Sequence, residues 1–189
     1  MNSKTKKLVL NSALAAICIV LGVTPIGYIP IGPVQITLLC LPVAVGTLTL
    51  GLRSGLFLGF IFGATIFFQM LAAPTAVITV LMSDSLFWVK MPLIIFIPRL
   101  LVPIATYLVY KAMSKSDKHN YLSLTVSSVA ASLTNTVFFL GMLLALFINI
   151  SAVNLAFVGS LVLTNGIPEA IFMGIICPPI VRALKHIQI

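Results

Sequence analysis

Residues 91–113 read MPLIIFIPRLLVPIATYLVYKAM, an apolar run that carries Arg99 in its interior and Lys111 near its end. A helix needs about 20 mainly apolar residues to cross the hydrocarbon core of a bilayer, so this run predicts a transmembrane helix. At 1.5 Å per residue, Arg99 lies roughly 12 Å from the start of that helix. A guanidinium at such a depth cannot easily reach water, and it requires an anionic partner.

The rest of the chain has the same character. Of its 189 residues, 60% are hydrophobic and 7% are charged, whereas a soluble domain carries about 25% charged residues. So few charges cannot cover a surface that faces water, and the surface must therefore face lipid. The predicted fold is all-α, a polytopic membrane protein with a single domain over residues 1–189. Six transmembrane helices with short loops use almost the whole length and leave no room for a separate soluble domain.

Apolar runs, glycines and prolines give the approximate limits of the six spans, which are residues 6–23, 35–50, 55–73, 91–113, 121–148 and 155–185. Residues 25–33 hold three prolines and two glycines and predict a structured loop. Residues 74–90 mix apolar residues with breakers and polar groups and predict a re-entrant or interfacial loop, with Asp84 as a solvated charge. We expect both loops to form the lid of an outward-facing site. The sixth span is expected to bend near residues 166–168 and 178–179.

Lysine and arginine concentrate on one side of the predicted spans, which sets their orientation. With the N-terminus inside, the cytoplasmic side holds nine basic residues and the outer side holds Lys90 alone. Both ends then lie in the cytoplasm, which requires an even number of spans and favours six. The basic residues follow the ends of apolar runs, so the net charge of +8 does not predict a nucleic-acid partner. The nine residues are Lys4, Lys6, Lys7, Arg53, Lys111, Lys115, Lys118, Arg182 and Lys185.

The cysteines and the known catalytic motifs give no sign of an enzyme. Cys18, Cys40 and Cys177 lie in apolar stretches, are odd in number and are expected to be small packing residues. The sequence contains no phosphate loop of the form GxxxxGK(S/T), no HExxH and no GxSxG. We therefore expect no catalytic activity, no cofactor and no metal, and the chain cannot by itself power transport with ATP.

Arg99 and Glu169 are the main candidates for a binding site, because ionisable residues inside a membrane are costly and usually functional. The partner of Arg99 is either Glu169 or a ligand carboxylate, whose geometry matches a guanidinium fork. Glu169 follows Asn165 and Pro168, and Asn165 can satisfy backbone groups that the proline frees. This part of the sixth span is therefore a candidate wall of the site. The alternative is a structural Arg99–Glu169 ion pair that binds no ligand.

Other polar residues are weaker candidates for ligand contacts. Asn135 lies mid-membrane in the fifth span, and its amide offers both a donor and an acceptor. Its alternative role is a hydrogen bond between helices. Gln69 and Gln35 are further candidates. Trp88 is expected to be either an interfacial anchor or a ring that stacks on a ligand.

Small residues spaced four apart mark faces where helices approach closely. Ser12 and Ala16 form such a pair on the first span, which either packs within the chain or docks to another membrane subunit. A longer series, for which we expect packing within the chain, consists of Gly51, Gly55, Gly59 and Gly63.

Several stretches resemble the substrate-specific S components of energy-coupling factor (ECF) vitamin transporters. They are IGPVQITLLCLPVAVG at 31–46, LGLRSGLFLGFIFG at 50–63, IPRLLV at 97–102, SLTNT at 132–136 and PPIVRALK at 178–185. The likeness covers essentially the whole chain and rests on the order of these motifs. It implies a six-helix S-component fold in the bacterial cytoplasmic membrane, which binds a vitamin or a precursor from outside. The implied partners are a transmembrane T component, which docks at the family's Ala-x-x-x-Ala, here Ser12 and Ala16, and two ATPase subunits.

Within that family, the chain is most similar to the pantothenate and hydroxymethylpyrimidine/thiazole-related branch. Pantothenate has a carboxylate for Arg99, and it has hydroxyls and an amide for Asn135 and Asn165. Hydroxymethylpyrimidine would depend instead on Glu169 and Trp88. Two other classes stay open, a stand-alone secondary transporter and a membrane scaffold without a ligand. The absence of a visible inverted repeat argues against the transporter, and the intramembrane charges argue against the scaffold.

Overall fold

A computed structural model describes residues 3–24, 27–31, 34–74, 76–114, 121–150 and 153–186. The elements in chain order are α1 (Ser3–Val23), β1 (Tyr28–Ile31), β2 (Val34–Thr37), α2 (Cys40–Leu50), α3 (Leu52–Ala72), α4 (Ala76–Leu81), α5 (Phe87–Met113), α6 (Tyr121–Phe147), α7 (Leu155–Leu161) and α8 (Ile167–His186). A π-helical turn, Val162–Gly166, joins α7 to α8. The predicted helical class is confirmed for the described residues.

Within the part of the chain that the structure describes, five helical segments are long and apolar enough to cross a membrane. They are Lys4–Val23, Leu52–Ala72, Phe87–Met113, Tyr121–Phe147 and Val158–His186. The remaining apolar helix of the predicted set, α2, has 11 residues and spans roughly 16 Å, about half of a bilayer core. The chain is therefore built as a multi-pass membrane protein, while the count of six spans and the direction of the ends stay predictions.

A β-hairpin replaces the beginning of the predicted second span. β1 and β2 pair antiparallel, with Tyr28 opposite Thr37 and Ile31 opposite Val34. The Leu38 N–H donates to the Gly27 carbonyl at 2.9 Å and closes the open end of the hairpin. The prediction of helix from residue 35 was wrong, because the β-branched residues of β2 favour an extended strand. Residues 25–26 and 32–33 of the predicted loop lie outside the described residues.

The predicted loop 74–90 is partly helical. It contains α4, and α5 begins at Phe87 rather than at Met91. Between these helices, Asp84 Oδ1 accepts the Leu86 N–H at 2.8 Å, and Asp84 Oδ2 lies 2.7 Å from Lys90 Nζ. The expectation that Asp84 is a solvated loop charge was wrong, since it forms an ion pair that ties this turn to the start of α5.

The short helix α2 occupies the centre of the fold, where it contacts α1, α3, α5, α6 and α8. Its central position explains its composition, because a helix enclosed by neighbours is apolar all round. The buried residues of α2 are Cys40, Pro42, Val43, Ala44, Val45, Gly46, Thr47 and Leu48. Since these residues fill the core, a helix too short to cross the bilayer is still fully embedded in the protein.

The glycine series packs α3 closely against its neighbours, as predicted, from Gly55 to Gly63. A Cβ atom on Gly59 would lie 2.5 Å from the Arg99 carbonyl oxygen of α5, and one on Gly63 would lie 2.8 Å from the Phe96 ring. Gly51 differs, because it forms the turn between α2 and α3 with φ of 96° and has open space around it. Close backbone approach of α3 and α5 therefore fixes the position of Arg99.

Candidate ligand-binding site

Buried polar side chains form a belt between two apolar clusters. One cluster contains Leu58, Val102, Leu124 and Met173 and surrounds α2. The other lies toward the start of α5 and the end of α6, with Ile94 and Phe147 among its members. Five of the buried polar residues of α5, α6 and α8 fall at or beside the border of these clusters and form the belt. They are Arg99, Ser132, Asn135, Thr136 and Glu169.

Arg99 is 6% exposed and points into this belt from α5. Its Nη1 donates to the Ile94 carbonyl at 3.1 Å. Pro98 has no N–H to give to that carbonyl four residues earlier, so the guanidinium replaces a helix bond that the proline removes. The guanidinium carbon also lies 5.4 Å from the ring centre of Phe62 and 4.7 Å from that of Phe139. Two aromatic faces stabilise the charge in a medium where it would be costly.

Glu169 lies in the first turn of α8 and is 4% exposed. The Arg99 guanidinium and the Ser132 hydroxyl are near enough to interact electrostatically with its carboxyl group. Arg99 from α5 and Glu169 from α8 thus bring a cation and a carboxyl group into one site.

α6 contributes two polar side chains that face the same way, because residues three apart share one side of a helix. Ser132 is fully buried and Asn135 is 8% exposed. Within the described residues, neither Ser132 Oγ nor Asn135 Oδ1 has a hydrogen-bond partner, and the same holds for Glu169 Oε1. Sequence reasoning did not single out Ser132, although its position one turn before Asn135 is a signal that could have identified it.

The π-helical turn forms one edge of the site and carries Asn165, which is half-buried. Its existence follows from Pro168, which lacks an N–H and interrupts the regular bonding at the start of α8. The regular α-helix is therefore interrupted next to residues 166–168, where the sequence predicts a bend. A Cβ atom on Gly166 would lie 2.8 Å from Thr136 Cγ2, so this turn packs closely on α6. β2 contacts both the turn and α8, which places the hairpin over the same edge.

The other candidate residues lie at various distances from the belt. Gln69 is half-buried on α3. Trp88 is 62% exposed and packs edge-on against Phe87, with ring centres 5.3 Å apart, so its ring lies at the surface of the protein. Gln35 belongs to β2, and its side chain lies outside the described residues.

Ser12 and Ala16 lie on an exposed face of α1. Over an apolar stretch of 18 residues in α1, 22% of the residues are buried, compared with 33–39% over stretches of the same length in the other long spans. The large side chains exposed along this helix are apolar and include Val9 and Val20. The small pair therefore faces outward, where either lipid or another protein can contact it.

No group of three or more potential metal ligands occurs among the described residues. What the belt offers is a cation on α5, a carboxyl group on α8 and polar acceptors on α6. This set suits a small molecule with an anionic group and several hydrogen-bonding groups.

The fold and site agree with a known class of membrane proteins. Residues 6–181 match the family described as "ECF transporter, substrate-specific component". Since the match covers most of the chain, the protein belongs to this family of substrate-binding transporter subunits.

Two curated relatives are named for one vitamin. The chain is 34% identical over 165 residues to a pantothenic acid transporter, PanT, of Lactococcus lactis subsp. cremoris, which covers 80% of this chain and 79% of the relative. It is 29% identical over 143 residues to a pantothenate transporter, PanT, of Leuconostoc mesenteroides, with 72% and 67% covered. Membership of a transporter family and these names agree with the prediction of a transporter subunit rather than an enzyme.

Proposed function

We propose that the chain is the pantothenate-binding subunit of an ECF importer, a single domain that captures the vitamin outside the cell. Two relatives are named for pantothenate, and the buried belt has the matching chemistry. Pantothenate carries a carboxylate at one end, an amide in the middle and hydroxyls at the other end. The belt provides a guanidinium, an amide, a hydroxyl and a carboxyl group from Arg99, Asn135, Ser132 and Glu169.

The single observation that carries this proposal is the position of Arg99. A guanidinium has five N–H donors, so the bond from Nη1 to Ile94 is compatible with a fork-like pair of bonds to a ligand carboxylate. The rings of Phe62 and Phe139 hold the guanidinium without neutralising it. An incoming carboxylate would therefore add an opposite charge and two charge-assisted hydrogen bonds beside the buried guanidinium.

Calorimetric titration of pantothenate into the purified protein tests the assignment. We expect Arg99→Ala to abolish binding, and Arg99→Lys to weaken it by about 10-fold or more because the ammonium cannot form the fork. Arg53→Ala is the matched control, since Arg53 is exposed at the start of α3 and should leave the affinity unchanged. Unchanged affinity in Arg99→Ala would refute the role of this residue.

We further propose that six spans cross the bacterial cytoplasmic membrane, with both ends in the cytoplasm and α2 as the short span. Irregular backbone at membrane depth is tolerated where protein encloses it, and α2 is enclosed by five helices. The three native cysteines are buried, so single cysteines can be added without removing them. In intact cells, an impermeant thiol reagent should label Ser85→Cys and not Arg53→Cys. The reverse pattern would contradict the orientation.

A T component and two ATPase subunits complete the proposed importer, since this chain has no phosphate loop. Exposure of Ser12 and Ala16 on the least buried span supports α1 as the docking helix. Ser12→Leu and Ala16→Leu should reduce co-purification with these subunits while pantothenate binding by the isolated chain is retained. Ile17→Leu, on an adjacent exposed position of α1, is the control. Full co-purification of both variants would exclude this face.

A further inference from the structure

Three buried oxygen atoms in the belt share one property. Ser132 Oγ, Asn135 Oδ1 and Glu169 Oε1 are shielded from solvent and receive no hydrogen bond from any described residue. Buried polar atoms in folded proteins are almost always hydrogen-bonded, because an unpaired one keeps the full cost of its lost hydration. Atoms that the protein leaves without a donor are suited to receive one from a bound molecule.

Other serines of α6 show that this arrangement is specific to the site. Ser127 Oγ donates to the Ser123 carbonyl at 2.5 Å, and Ser128 Oγ donates to the Leu124 carbonyl at 2.7 Å. Such bonds to the preceding turn are the usual way to satisfy a serine inside a helix. Ser132 is equally buried on the same helix and makes no such bond among the described residues. Its hydroxyl is therefore available to a group outside its own helix.

Two of the three oxygens are near each other, and the third lies on the same side of α6 as one of them. The Ser132 hydroxyl is near enough to the Glu169 carboxyl group to interact with it, while Ser132 Oγ and Glu169 Oε1 lack a hydrogen-bond partner among the described residues. Asn135 is one helical turn from Ser132, and the adjacent Thr136 contacts Gly166, three residues before Glu169. Contacts between α6 and α8 thus bring all three oxygens to one wall, in the same polar belt as the Arg99 guanidinium.

We infer that Ser132 Oγ, Asn135 Oδ1 and Glu169 Oε1 form one acceptor wall that selects ligands with hydroxyl or amide N–H donors beside a carboxylate. This inference rests on the proposed function and extends it, because it assigns Ser132 to the site and states which part of the ligand decides specificity. A site that hydrogen-bonds a ligand hydroxyl strongly rejects the analogue without it, since the buried acceptors then stay unpaired. The carboxylate secures binding at Arg99, and the acceptor wall discriminates among carboxylates.

Two ligands that differ only in donors test this wall. Pantothenate is compared with N-(3,3-dimethylbutanoyl)-β-alanine, which keeps the carboxylate and the amide but lacks both hydroxyls. We expect the wild-type protein to bind the analogue at least about 10-fold more weakly than pantothenate. Equal affinities for the two compounds would overturn the acceptor wall and leave the proposed function intact. A wild-type protein that binds neither compound would overturn the proposed function, and the inference with it.

Matched serine variants then separate recognition from packing. Ser132→Ala should weaken pantothenate binding by about 5- to 10-fold and leave the affinity for the analogue within about 2-fold. Ser128→Ala, on the same helix and equally buried, should change neither affinity. If Ser132→Ala lowers both affinities equally, Ser132 supports the fold alone and the inference is wrong for it.

Glu169→Gln gives an independent test with almost no change in volume. It replaces one oxygen of the carboxyl group by an N–H donor, which cannot accept a bond from a ligand hydroxyl. We expect a loss of about 10-fold or more for pantothenate and a smaller loss for the analogue. Equal losses for both ligands would contradict a role for Glu169 in recognising the hydroxyls.

Discussion

Replacing Gly59 by alanine tests how the fold holds Arg99 in place. The added Cβ would lie 2.5 Å from the Arg99 carbonyl oxygen and 3.4 Å from its carbon. The obstacle is the backbone of α5 and not a flexible side chain, so rotation of a side chain cannot relieve it. α3 and α5 would have to separate by roughly 1 Å to restore a normal contact.

The cost can be estimated from two opposing effects. Forcing an extra carbon into a well-packed contact destabilises a protein by about 1–3 kcal/mol. Alanine also has a higher helix propensity than glycine, which offsets up to about 1 kcal/mol. Gly141→Ala provides the control, because Gly141 lies on the exposed side of α6 with no atom within 4 Å of the added Cβ. The control gains the propensity term alone, so the difference between the two variants isolates the contact.

The assay is thermal unfolding of both variants in the same detergent, followed by pantothenate titration. A difference of about 1–3 kcal/mol should lower the midpoint by about 2–4 °C per kcal/mol in a chain of this size. Since the contact is made by the backbone of Arg99 itself, Gly59→Ala should also bind pantothenate more weakly than Gly141→Ala. Equal melting temperatures for the two variants would refute the close approach of the helices.

Three further predictions concern the outer turn, the π-helical turn and the cysteines. The hydrogen bond from Lys90 and the backbone hydrogen bond from Leu86 lower the pKa of Asp84. The Asp84 carboxylate therefore stabilises the fold at pH values above its pKa in the unfolded chain, and this stabilisation is lost as the pH falls through its pKa in the folded protein. Asp84→Asn should therefore melt below the wild type at pH 7, and a gap that does not narrow as the pH is lowered past 3.8, the ordinary pKa of an aspartate, would contradict the ion pair. Gly166→Ala should have a lower melting temperature than the wild type and bind pantothenate more weakly, because the added Cβ would meet Thr136. Gly159→Ala is the control, since the added Cβ there has open space, and equal behaviour of the two variants would contradict this packing. A maleimide should modify the wild-type protein only after denaturation, and modification of the folded protein would contradict the burial of Cys18, Cys40 and Cys177.

The helices of this protein were largely predictable, because the solvent determines them. Long apolar runs in a bilayer have to satisfy their backbone hydrogen bonds internally, and a helix does so within one segment. The predicted limits of the fifth span, residues 121–148, differ from those of α6 by one residue at its end. The break before Glu169 was also predictable, since Pro168 removes an N–H from the helix.

The hairpin and the extent of the outer turn were not predictable in the same way. Segments of four residues, such as β1 and β2, carry too little periodicity to separate a strand from an irregular loop. The Asp84–Lys90 ion pair lies across the start of α5 at Phe87, and a contact between side chains of this kind is not visible to a search for apolar runs. Boundaries set by tertiary contacts in this way require a structure.

The candidate site was predictable in its residue types and not in its arrangement. Arg99, Asn135 and Glu169 stood out because polar groups are rare inside a membrane. Sequence alone left the partner of Arg99 open, and the position of Ser132 one turn before Asn135 was too weak a signal to separate it from the other serines of α6. That distinction depends on hydrogen bonds, because Ser127 and Ser128 bond to their own helix while Ser132 does not do so among the described residues.

The prolines around Arg99 explain how a membrane helix can carry this charge. Pro98 leaves the Ile94 carbonyl without its usual backbone donor, and the Arg99 guanidinium bonds to that carbonyl. Pro103 does the same to the Arg99 carbonyl, which the Cα of Gly59 approaches closely from α3. The Ile94 carbonyl is therefore next to the guanidinium, and the Arg99 carbonyl is next to the weakly polar Cα–H group of Gly59. Replacing the prolines would give both carbonyls a backbone N–H donor again, and the guanidinium would then no longer be needed as a donor to Ile94. The interrupted helix therefore helps to determine where the charge of Arg99 lies.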